Sequence, residues 1–239
     1  MQQSGSLEKA KHYIESHSKN SDVRRQPQQG PCITISREAG AGSGLIAEKL
    51  VNILKPLSNY PDSEWGIFDK NLIERVIEDH HLPNQLGKFM GEEVKPFLTE
   101  IMNEVFGIHP PLIKLEHKTT ETILRLAFIG NCVIIGRGAN LITAYMKNCF
   151  HIRLVAPLEV RIKNVQDFYG NSKQEAIDFV KSEDRKRNKF IEEHYHKKAD
   201  DPLLYHLILN TGLLTLEEVS ENIALCVRNK FKQFFISSE

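Results

Sequence analysis

The chain has 239 residues, 41% of them hydrophobic and 26% charged, enough to bury one sizeable core. Its 31 Lys and Arg balance 31 Asp and Glu, so no global field draws it to nucleic acid or an anionic membrane, and any anion site must be local. No apolar run approaches the roughly 18 residues of a membrane helix, the opening residues lack a signal-peptide core, and Cys32, Cys132, Cys149 and Cys226 form no C-x-x-C pair. One domain in a reducing cytoplasm is the expectation.

Residues 1–31 are polar, with a weakly amphipathic stretch through Leu7, Ala10, Tyr13 and Ile14 and then a Gln-, Pro- and Arg-rich tail. They read as a loose N-terminal extension before a domain at 32–239. Five short apolar runs follow at 32–36, 65–69, 132–136, 151–156 and 204–210, each ending in polar residues or glycine. Such runs, alternating with helical patterns, predict strands of a parallel sheet buried on both faces, with functional residues at their carboxyl ends. Ile46, Leu50, Ile53 and Leu54 mark one face of the first helix after the sheet begins. Residues 72–129 read as a helical insert without strands, 173–198 as a charged helical lid, and Thr215 to Glu218 as the capping box of a last helix.

Between the first strand and its helix lies Gly40-Ala41-Gly42-Ser43-Gly44. Glycines at this junction let successive backbone N–H groups face a phosphate, and the helix adds the positive end of its dipole. A lysine just before the helix normally grips the β- and γ-phosphates, but Ser43 stands in its place, and Arg37 stands where the longer Walker pattern has its first glycine. A tight turn whose glycines serve packing alone is the competing reading. A dinucleotide fingerprint fits worse, because the third glycine falls one place early. Arg37, directly after the strand, is expected to replace part of the missing lysine's charge.

Three further segments share one order: Ile67-Phe68-Asp69-Lys70-Asn71-Leu72-Ile73-Glu74-Arg75, Val133-Ile134-Ile135-Gly136-Arg137-Gly138, and His151-Ile152-Arg153-Leu154-Val155-Ala156-Pro157-Leu158-Glu159-Val160-Arg161. With Ser36-Arg37-Glu38 and Asp184-x-x-Arg187, this ensemble resembles the cytidylate kinase-like family, from about Cys32 to the C-terminus. That branch also tends to lack the loop lysine. The resemblance implies a three-layer α/β P-loop kinase fold with a five-stranded parallel sheet, helical insert and lid. It implies that Asp69, Arg75 and Arg137 hold an acceptor, and that Arg161, Asp184 and Arg187 belong to a lid closing over phosphates. Planar guanidinium groups suit that chemistry, because they bind phosphate oxygens bidentately. Two departures stand out: the family's D-G-R-D turn is Ile135-Gly136-Arg137-Gly138 here, without carboxylates, and Tyr205-His206 replaces a Tyr-Asp pair.

The expected activity is ATP-dependent phosphoryl transfer to a small acceptor, a nucleoside monophosphate such as CMP leading. A nucleotide sensor without turnover and a kinase for another small acceptor are the alternatives. Mg²⁺ would come with the nucleotide, held by phosphate oxygens and water. His194-x-His196 near Asp200 and Asp201 is more simply a solvated helix end than a zinc site, so no metal ligand of the chain's own is expected. A small-molecule nucleotide is the expected partner, with neither nucleic acid nor membrane, and the oligomeric state stays open.

Overall fold

The computed structural model describes residues 2–19, 30–59, 64–79, 82–83, 86, 96, 98–102 and 114–236. Five strands form one all-parallel sheet: β1 (Cys32–Arg37), β2 (Gly66–Phe68), β3 (Cys132–Ile135), β4 (Cys149–Val155) and β5 (Leu207–Asn210), in the order β2-β3-β1-β4-β5. The central strands are short and buried on both faces, β1 and β3 mainly β-branched and β4 mixing apolar residues with His151 and Arg153, as a sheet covered by helices on each side allows. The chain leaves β1 toward β2 and leaves β4 toward β5. Their connections therefore diverge, and a crevice opens at the carboxyl ends of the strands around β1.

One face packs Ile33, Ile35, Phe150 and Ile152 against α2 (Ser43–Leu54) and the last helix, α8 (Leu216–Lys230). The opposite face packs Cys32, Phe68 and Ile134 against α1 (Gln2–Lys19), α3 (Lys70–Glu78) and α4 (Lys114–Ile129). The short helix α5 (Ala139–Ile142) follows β3, and α6 (Leu158–Tyr169) and α7 (Lys173–Tyr195) follow β4. Three layers result. A third apolar cluster joins Ala39 of the glycine loop to Ile162 and Val165 of α6 and to Ala176 and Val180 of α7.

The N-terminal segment differs from its expected looseness. Helix α1 buries Ala10, Tyr13 and Ile14, and the Tyr13 hydroxyl donates to the Gly130 carbonyl. Three apolar residues make a weak stripe, yet they land beside Phe68 and the α3 face and are fully covered. Residues 20–29 of the expected tail, and much of the expected insert between 80 and 113, lie outside the described residues. Three strands are shorter than expected, β3 by one residue and β2 and β5 for reasons visible at their ends. β2 stops before Asp69, whose carboxylate caps α3 by accepting the Leu72 N–H at 2.8 Å. β5 begins only after the 3₁₀ turn Pro202–Leu204, capped by Asp201.

Candidate functional site

The glycine loop is wound for close approach to its backbone. Gly40 and Gly42 have φ of 81° and 79°, where a side chain is strained, and Gly42 opens α2 without a side-chain cap. Among the described residues, the N–H groups of Gly42, Ser43, Gly44 and Leu45 donate no hydrogen bond. A Cβ on Gly44 would meet no atom within 4 Å. These orphan donors at a helix N-terminus, open on one side, fit an anion. Packing also explains part of the loop: a Cβ on Gly40 would lie 2.4 Å from the Arg161 carbonyl oxygen.

Behind the loop sits a clasp. The Arg161 side chain is 10% exposed, with Nη1 2.5 Å from Asp184 Oδ2 and Nε 3.3 Å from Glu38 Oε2. It also donates to the carbonyls of Ala156 at 2.9 Å and Ala39 at 3.3 Å. Asp184 accepts the Ala39 N–H through its other oxygen at 2.7 Å, and Glu38 accepts the Ala156 N–H at 3.0 Å. Two residues expected at the phosphates, Arg161 and Asp184, thus face each other and tie helix α7, the segment expected to form a lid, to the loop.

In front of the clasp, at the ends of β1, β3 and β4, opens a cavity of about 370 Å³. Its cationic lining is Arg37, Lys70, Arg137, Arg153, Lys186 and Arg187; its acidic lining is Glu38, Glu183 and Asp184. Each acid already has a partner: Glu38 and Asp184 meet Arg161, and Glu183 meets Lys186 and Arg187. Arg137 sits in a left-handed turn, with φ of 85°, 56° and 66° over Gly136, Arg137 and Gly138. It pairs with Glu74 and lies 5.9 Å over the Phe190 ring, and its buried Nε has no partner among the described residues. A non-glycine residue held there is strained by about 1 kcal/mol or more, a common mark of functional turns.

Arg37, expected to replace part of the missing lysine's charge, lies across Gly136, where a Cβ would sit 2.0 Å from its Nη1. None of Gly40 to Gly44 lines the cavity. Burial first, and then the nearby Arg187, push the Arg37 pKa down to about 10, so it stays cationic at neutral pH. Burial likewise lowers Arg187, against the opposing pull of Glu183 and Asp184. Arg187 also reaches the Arg37 carbonyl at 3.4 Å. Of the expected acceptor residues, Arg137 lines the cavity, whereas Asp69 caps α3 and Arg75 lies one place past Glu74, off the lining. Sequence reasoning assigned no role to Arg153. This residue is 7% exposed on β4, donates to Ser36 Oγ at 3.0 Å and lies 5.8 Å over the Tyr205 ring.

Among the described residues, no helix is long and apolar enough to cross a membrane, and no group of three or more His, Cys, Asp or Glu is placed to hold a metal ion. Comparison with known proteins gives a family. Its profile, that of the cytidylate kinase-like family, matches residues 32–213, and the chain belongs to that family. Membership supports nucleotide-dependent phosphoryl transfer in general, and with it general use of ATP and Mg²⁺. A crystal structure of an uncharacterised protein from Eubacterium ventriosum ATCC 27560 superposes with a TM-score of 0.63 at 20% identity, covering 86% of this chain and 99% of that one. This likeness speaks for the fold. A uronate isomerase from Corynebacterium glutamicum is 27% identical over 118 residues, 49% of this chain and 23% of that protein, so the chain spans about a quarter of its length.

Proposed function

From membership of the cytidylate kinase-like family we propose that the chain transfers the terminal phosphoryl group of ATP to a small phosphorylated acceptor seated in the cationic cavity. CMP is the first acceptor to test. The observation that carries this reading is the pairing of an amide cradle with no internal partner and, beside it, a cavity whose arginines exceed its available carboxylates. The amides of Gly42 to Leu45 hold donor phosphates, helped by the α2 dipole. Arg37, Arg137 and Arg187 take the acceptor's phosphate and the charge that develops during transfer. Arg161 and Asp184 act as positioning residues that hold α7 against the loop, and the lid keeps water from the reacting groups. Mg²⁺ arriving with the nucleotide would be held mainly by phosphate oxygens and water, supplying charge neutralisation.

A second reading rests on one residue. Ser43 brings no charge to the loop, and loss of one preorganised group of that kind slows transfer by roughly a hundredfold to a thousandfold. Binding without turnover, a nucleotide sensor, is therefore the alternative. Incubation with Mg·ATP and each common nucleoside monophosphate, with ADP release and ligand binding measured in parallel, separates the two. The proposal expects slow ADP formation that depends on the acceptor. Tight ATP binding with no acceptor-dependent ADP supports the sensor.

A further inference from the structure

Two cations of the cavity lack a direct ion-pair partner, the buried Arg153 and the half-buried Arg37, although Asp69 and Glu183 act on Arg37 from farther off. Arg37 and Arg153 form no ion pair among the described residues, and all three acids that line the cavity are already occupied by Arg161, Lys186 and Arg187. Arg153 is 7% exposed, and the half-buried Arg37 lies against Gly136. A cation removed from water and left unpaired is costly, so folds retain one where a ligand completes the pair.

The two are also separate points of contact. Ser36 and Arg153 are register partners on β1 and β4, so their side chains share one sheet face, and there Arg153 meets Ser36 Oγ while the Tyr205 hydroxyl lies 3.2 Å from the same oxygen. Arg37 is the next residue on β1 and turns toward β3, where it rests on Gly136 beside Arg137. A single phosphate seated on Arg37, Arg137 and Arg187 leaves Arg153 without a charge partner.

We propose that the ligand of this cavity carries two separate anionic groups: a phosphate on the Arg37 side and a second anion, a carboxylate or another phosphate, on Arg153 supported by Ser36. This rests on the proposed reading only in taking the cavity as the seat of a small phosphorylated acceptor, and within that class it favours phosphorylated acids or bisphosphates over CMP.

Calorimetric binding to the full chain tests it without turnover, so failure of phosphoryl transfer and failure of the two-anion seat are read separately. The probes are 3-phosphoglycerate, with phosphate and carboxylate; glycerol 3-phosphate, with phosphate only; and CMP. On the wild type, 3-phosphoglycerate is expected to bind on the order of tenfold or more tighter than glycerol 3-phosphate, as a charge-assisted bidentate contact allows. Arg153→Met should abolish that advantage and leave glycerol 3-phosphate within about twofold. The urea midpoint of ligand-free Arg153→Met should match or exceed that of the wild type, since the change removes an unpaired buried charge. Equal affinities on the wild type overturn the proposal. So does an advantage that survives Arg153→Met, a loss on that variant confined to CMP, or a fall in its midpoint, which would make Arg153 a structural residue.

Discussion

Replacing Arg161 by methionine is the sharpest test of the clasp. The change keeps an unbranched side chain but deletes a guanidinium bound to two carboxylates and two carbonyls. Breaking a fully buried ion pair costs about 3–5 kcal/mol. Here Glu38 is 28% and Asp184 24% exposed, so water solvates part of the abandoned charge and the figure falls to about 2–3 kcal/mol. With a urea slope of about 3 kcal/mol/M, the midpoint drops by about 1 M. Asp184→Asn keeps an acceptor for the Ala39 N–H and loses the charge, so it should cost less. In the double variant the two losses should overlap by about 1–2 kcal/mol, because each single change already breaks the same contact. Urea unfolding followed by far-ultraviolet circular dichroism reads all three. A midpoint shift for Arg161→Met below about 0.2 M, or strict additivity in the double variant, refutes the clasp and returns Arg161 to a role at the phosphates.

Two other perturbations follow from named atoms. Gly40→Ala sets a Cβ 2.4 Å from the backbone oxygen of Arg161, whereas Gly136→Ala sets one 2.0 Å from the mobile end of Arg37, and both glycines have positive φ. Gly40→Ala is therefore expected to lower the urea midpoint more, and Gly136→Ala, at about 1–2 kcal/mol, to act mainly by displacing Arg37 and weakening phosphate binding; the reverse order of midpoints counts against this geometry. His151, whose Nδ1 lies 2.8 Å from Thr34 Oγ1, has its pKa pushed down to about 3 by burial first and then by His206 and Lys230. The unfolded chain, with that imidazole near its ordinary 6.5, binds more protons than the folded one at any pH between the two values. Stability is therefore complete above about 6.5 and declines as pH falls toward 3, by about 2 kcal/mol at pH 5 from this group. Urea midpoints between pH 4.5 and 7 should show a slope that His151→Gln flattens; the same slope in both proteins refutes the assignment.

The strands were readable because each is a short, mostly apolar run, and the glycine loop because its spacing between strand and helix is rarely accidental. Direction was harder to read. Arg161 falls on the inner side of α6 with Ile162 and Val165, so it meets Glu38 and Asp184, not open solvent. Nothing in a linear motif distinguishes a guanidinium that turns inward to carbonyls from one that turns outward to a ligand. Arg37 is similar: adjacency to the loop suggested the loop, but the absence of a side chain on Gly136 gives it a place to lie on the other side. Arg153 did leave a trace. In Cys149 to Val155 the apolar Phe150, Ile152 and Leu154 alternate with Cys149, His151 and Arg153, and two increasingly polar residues on one face of a buried strand mark where that face stops packing and meets the cavity. Helix α1 left almost none, since its stripe becomes significant only once Phe68 and α3 form the groove beneath it.

The clasp and the cavity are parts of one distribution of charge. Glu38 and Asp184 border both the loop and the cavity, and unpaired they would cancel two of its cations. Arg161 engages both from behind, outside the lining, and its single charge offsets one of the two, which leaves more of the field of Arg37 and Arg153 to the cavity. At an effective dielectric of about 20, one carboxylate 4 Å from an arginine is worth about 4 kcal/mol. Loss of Arg161 should thus weaken anion binding through Glu38 and Asp184, without any contact between Arg161 and the ligand. Asp184→Asn in the Arg161→Met background removes one of the two freed charges and should restore part of the affinity for 3-phosphoglycerate, even where it does not restore stability. A purely mechanical clasp would make both losses rise and fall together.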